Sequence, residues 1–171
     1  MDQTDFNDGA RKQITPPELG ALLVNVACAQ SEREETAVKE LATHLGVELN
    51  PLQQELIFLR AFAVELSLAT ALGPGAEKEE VLAYYYRNWE RLAADGSILE
   101  QLRQRLEYYG DVIEAQQRHA GGLGAAVGAA FAQLGSAEAA DGLKALGESM
   151  FGGVFAELTE LFEQVDVVLL S

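Results

Sequence analysis

The chain is predicted to be all-α, a single-domain bundle of about five to seven helices with a buried central helix near residues 51–72. Three observations predict this. Apolar residues recur every three or four positions over long stretches, most plainly from 143 to 169, which keeps them on one helical face. Ser/Thr-x-x-Glu boxes and glycine stops punctuate the chain at helical distances. Strict alternation never persists and β-branched residues are sparse, so no strand is expected.

Residues 1–14 are polar and acidic and read as a flexible acidic tail, with one helical domain over 15–171. The first residues have no basic stretch followed by an apolar one. No signal peptide and a cytoplasmic location are therefore expected. Thr15 opens the first helix as N-cap, with Pro16 at the first helical position and Glu18 completing a capping box. The apolar run 19–29 follows. Ser31 and Glu34 repeat the box, and the second helix should end at Gly46. Asn50 and Pro51 begin the third, which stops at Gly73. It is apolar nearly all round, from Leu52 and Leu56 through Phe58, Phe62 and Val64 to Leu72, as a helix buried on every side should be. Its length would span a bilayer, but Glu55, Arg60 and Glu65 interrupt it, each costing about 3 kcal/mol at the membrane centre. A soluble core helix is the expectation.

A fourth helix covers 77–94 and carries Tyr84, Tyr85, Tyr86 and Trp89. Asp95 and Gly96 break it. Ser97 and Glu100 form a third box, opening a helix to about His119. Residues 120–137 hold no charge, and Gly121, Gly128, Gly135 and Gly142 are spaced by seven. Such small residues let another backbone approach closely in a soluble bundle; conditional membrane contact is the competing reading. After a turn at Gly135 and Ser136, the last helix runs to the end of the chain.

Composition excludes more chemistry than it suggests. With 27 acids against 12 bases the net charge is −15. No basic cluster compensates, so nucleic acid and anionic membrane are not expected partners. Cys28 is the single cysteine, which rules out an intramolecular disulfide and any cysteine-based zinc site. It lies in an apolar run and is expected to be a buried, inert thiol. No Glu-x-x-His repeats, nucleophile elbow or phosphate loop occurs. Glu40 and His44 share a helical face without a third ligand, and His119 suits a helix C-terminus. No cofactor, metal or catalytic residue is assigned, and the chain is not expected to be an enzyme.

Two functional expectations remain. In the first, the protein is an interaction or assembly module, a homo-oligomer (a dimer) or the receiver of a protein partner. The amphipathic last helix supplies the contact through Met150, Phe151, Val154, Phe155, Leu158 and Phe162. In the second, a small apolar ligand lies between the central helix and the Tyr/Trp helix, in a pocket lined by Phe58, Phe62, Glu65, Tyr85 and Trp89. Glu65 is then a polar anchor; in the plainer reading it pairs with Arg60, Arg87 or a tyrosine hydroxyl.

Overall fold

The computed structural model describes residues 11–116 and 122–170. Within them the chain forms an all-α bundle: α1 (Pro16–Cys28), α2 (Glu32–Leu45), α3 (Leu49–Leu72), α4 (Ala76–Leu92), α5 (Gly96–Gln116), α6 (Leu123–Ala132) and α7 (Ala140–Gln164). A 3₁₀ turn, Ala137–Ala139, precedes α7. Two short strands, β1 (Lys12–Ile14) and β2 (Val165–Val167), lie outside the bundle's helical elements.

The capping chemistry explains the first two helix starts. Thr15 donates from N–H and hydroxyl to Glu18 Oε2 at 2.9 and 2.8 Å. Ser31 N–H donates to Glu34 Oε2 at 2.9 Å, while Glu34 N–H returns a bond to Ser31 Oγ at 3.2 Å. These bonds hold both glutamates below the usual carboxylate range. Gly46 closes α2 at φ 66°, a left-handed conformation that favours glycine.

The later caps differ from expectation by a residue or two. Glu48, not Asn50, precedes α3, so Asn50 lies within its first turn. At α5, Asp95 accepts from Ser97 N–H at 2.9 Å, and Ser97 is already helical. Asp95 reaches two residues ahead and caps the helix in place of Ser97.

α3 is the bundle's axis. It packs against α1, α2, α4, α5 and α7, and eleven of its residues are buried, Arg60 and Ser67 among them. α1 and α4 cross closely at Gly20, where a Cβ would sit 2.8 Å from Tyr84 Cβ. α6 and α7 form the most extensive helix pair. The glycines explain why. A Cβ on Gly128 would lie 2.6 Å from the Lys144 carbonyl oxygen, and one on Gly147 would lie 2.8 Å from Phe131 Cβ. Gly135 and Gly142, also in the seven-residue series, receive Leu143 and Leu45. The small-residue stretch is thus a helix-packing surface inside the bundle. Among the described residues no helix is long and apolar enough to cross a membrane.

Both ends of the described chain correct the sequence reading. Residues 12–14, expected within a flexible tail, pair in parallel with 165–167, in register Lys12↔Val165, Gln13↔Asp166 and Ile14↔Val167. The last helix stops at Gln164 instead of running on, because Val165, Val167 and Val168 favour extended backbone and Ile14 offers them a partner. His119 and Gly121 lie outside the described residues.

Candidate docking groove

α2 has a narrow apolar stripe. Only Val38 and Ala42 are buried, and Leu41 is half-buried. That suffices to hold α2 on α3, yet not to cover α7 along its length. The two helices meet at one end, where Leu45 seats on Gly142. Beyond that contact an open groove of about 520 Å³ separates Ala37, Val38 and Leu41 of α2 from Leu146, Met150 and Val154 of α7. Its volume falls in the range of ligand clefts, about 300–1,000 Å³. Glu34 and Glu157 stand at its far end, with Ser149 and Gly153 between.

There the groove opens into a second depression of about 300 Å³, lined by Asn25, Val26, Ala29, Ser31, Glu34, Arg60, Val154 and Glu157. Arg60 is 3 % exposed although it carries a guanidinium. Its Nη1 donates to the Ala29 carbonyl, at the C-terminal end of α1. Its Nη2 lies 3.8 Å from Glu34 Oε1 on α2 and 4.0 Å from Met150 Sδ on α7. One side chain from the central helix therefore fixes where three others meet. Burial lowers the Arg60 pKa, and Glu34, Cys28 and Glu157 oppose that shift. Glu34 is engaged by Ser31 through Oε2, so Oε1 is the oxygen turned to Arg60.

The residues singled out in the sequence divide between core and groove. Of the α7 set, Phe151, Val154, Leu158 and Phe162 are buried in the chain's own core. Met150 and Phe155 are half-buried, and Met150 and Val154 line the groove. The stripe is spent largely within the bundle, and its remainder faces α2.

Nor do the five pocket residues share a single cavity. Phe58 and Trp89 border a surface depression of about 370 Å³ together with Cys28, Ile57, Leu92 and Ile98. Phe62 instead packs its ring against Tyr109 and Phe151, with centroids 5.3 and 6.2 Å away. Tyr85 is fully buried, its hydroxyl 3.5 Å from the Ala61 carbonyl. Glu65 accepts a hydrogen bond from the Tyr86 hydroxyl, and neither Arg60 nor Arg87 is its partner. Burial pushes its carboxyl up to about 7. Arg87 is elsewhere, stacked 4.9 Å above the Tyr84 ring.

Cys28 is exposed, contrary to expectation, because it is the last residue of α1 and stands at the rim of the depression that Phe58 and Trp89 border. Partial burial still raises its thiol pKa, and Arg60 opposes that shift. Glu40 and His44 are both exposed on α2. Among the described residues no group of three or more His, Cys, Asp or Glu is placed to hold a metal.

Two polar links between helices, at Arg60 and at Glu55–Arg105, are not visible in the sequence. In the sequence Arg60 is an interruption of an apolar helix and a candidate partner for Glu65; the structure turns it instead to Ala29, Glu34 and Met150. The Glu55–Arg105 pair, bidentate at 2.7 Å for each bond, joins α3 to α5 across 50 residues of chain. No local spacing connects either residue to its partner. No protein-family model, curated protein or solved structure matches this chain.

Proposed function

We propose that the protein is an association module, and that its α2/α7 groove receives an amphipathic helix carrying basic side chains from a protein partner. One observation supports this reading above the others: an open apolar trough, walled by two helices, ends at the carboxylate of Glu157, beside Glu34 whose own carboxylate is turned to Arg60. Helix-in-groove recognition places side chains at i, i+3, i+4 and i+7 into such a trough. The net charge of −15 favours a basic partner and speeds its approach. It also disfavours a second copy of the chain as the occupant of this acidic groove.

The partner's apolar face would cover Leu41, Leu146 and Met150, and its basic flank would meet Glu157. Met150 suits the task, since an unbranched thioether adapts its shape to what it meets. Arg60 holds the groove's end in shape from below.

The test uses a synthetic Leu/Lys helix of about 18 residues, five turns, with all leucines on one face. A peptide of the same composition in scrambled order is the control for charge alone. Fluorescence anisotropy should show the amphipathic peptide binding at least about tenfold more tightly than the control. Met150→Asp should remove that difference, as expected of a central contact worth about 2 kcal/mol. Glu157→Gln should slow association and flatten its salt dependence. Equal binding of both peptides, or a Met150→Asp variant that still discriminates, would overturn the proposal.

A further inference from the structure

Among the described residues the two-stranded sheet has an unpaired edge whose chemistry can be read from one hydrogen bond. Val168 N–H donates to the Ile14 carbonyl at 2.9 Å, extending the β1/β2 ladder by one residue. Along an extended strand the backbone groups of successive residues point to opposite edges. Asp166 and Val168 therefore face β1, while Val165, Val167 and Leu169 direct their N–H and C=O groups to the other edge. No strand lies on that edge among the described residues.

The same segment ends in exposed apolar side chains. Val168, Leu169 and Leu170 are 38, 39 and 63 % exposed, and they are consecutive. An unpaired edge beside exposed β-favouring residues is a template for another strand. Charge here also differs from the rest of the chain. Arg11 and Lys12 stand with Asp166 and Glu163, two bases to two acids, and Arg11 pairs with Asp166 at 3.2 Å. Two copies, each carrying −15, meet with least repulsion where acid is balanced by base.

We propose that β2 pairs antiparallel with β2 of a second copy, about a two-fold axis through Val167. The outward-facing residues select this register. Val167 lies opposite its own symmetry mate and Val165 lies opposite Leu169, both as hydrogen-bonded pairs. Asp166 falls opposite Val168, so no two carboxylates face each other. The contact is isologous and closes at a dimer, giving a four-stranded sheet with β1 at each outer edge. It shares no residue with the α2/α7 groove and stands or falls independently of it.

Light scattering on the full chain, from about 10 to about 500 µM, reads the dimer directly. The mass should rise from 18.5 kDa toward twice that value, and should rise further at high salt as repulsion is screened. Val167→Pro removes an N–H from the free edge alone, so the β1/β2 ladder survives while the mass stays at one chain. Circular dichroism shows whether this variant keeps its fold. If it does not, Leu169→Lys decides, because that exposed side chain is replaceable in the folded monomer. A monomeric parent across the range, or dimerisation of the folded variants equal to the parent, would overturn the inference.

Discussion

Replacing Glu65 by glutamine should convert a pH-dependent stability into a flatter one. Glu65 lies on the central helix, with the Tyr86 hydroxyl as its hydrogen-bond partner, and burial raises its pKa from 4.5 to about 7. The unfolded chain has no such burial, so its carboxyl ionises near the ordinary value. As pH rises past about 4.5, the unfolded state loses this proton first and stability falls. The loss is complete above about 7, where both states are ionised. A shift of this size corresponds to about 3 kcal/mol at roughly 1.4 kcal/mol per unit, as an upper bound for a side chain that retains some contact with water. Glutamine keeps similar size and still accepts from Tyr86, but it never ionises. Urea unfolding of parent and Glu65→Gln at about pH 5 and about pH 8, followed by circular dichroism, isolates the effect from the other acids. The parent should lose about 1–3 kcal/mol more than the variant between the two conditions. Parallel losses in both proteins would refute the assignment of a buried, upshifted carboxyl.

Other perturbations test the packing. Gly128→Ala should destabilise by about 2 kcal/mol or more, because its Cβ meets the Lys144 carbonyl at 2.6 Å. Gly124→Ala, one turn earlier and with Glu148 Cγ at 3.5 Å, should be neutral or gain up to about 1 kcal/mol of helix propensity; thermal melts of the pair compare the two directly. Arg60→Ala should cost about 2–4 kcal/mol in chemical denaturation, since it strands the Ala29 carbonyl and leaves a cavity beneath the groove. Tyr109→Phe should be neutral or stabilising by about 1 kcal/mol in the same assay, because the buried Tyr109 hydroxyl has no hydrogen-bond partner among the described residues.

The parts of this fold legible in the sequence are those written in local spacing. Thr15 with Glu18 and Ser31 with Glu34 announce two helix starts because a capping box spans only three residues. The all-round apolarity of α3 marks it as central, since no face of it can be left wet. The glycines at 128, 135 and 142 are legible as close-packing sites by their repeat, although the sequence cannot say which helix each one receives. What depends on distant partners is hidden. Val165, Val167 and Val168 continue the helical spacing of α7, and their strand exists only because Ile14 lies beside them. The α7 stripe looks like an interface because periodicity records that a face is buried, not what buries it. The groove is hidden for a related reason. It arises from how far α2 diverges from α7, and that divergence is fixed by Leu45 on Gly142 at one end and Arg60 at the other.

The chain has two methionines, and Met150 lines the groove while Met1 stands at the opposite end of the sequence. With methyl-labelled methionine, an NMR spectrum of the full chain therefore carries one signal that reports on the α2/α7 groove. The amphipathic Leu/Lys helix should shift the Met150 methyl in proportion to occupancy, and the scrambled peptide of equal charge should leave it in place. A Met150 methyl that stays unmoved while the amphipathic peptide binds would contradict the groove as the docking surface.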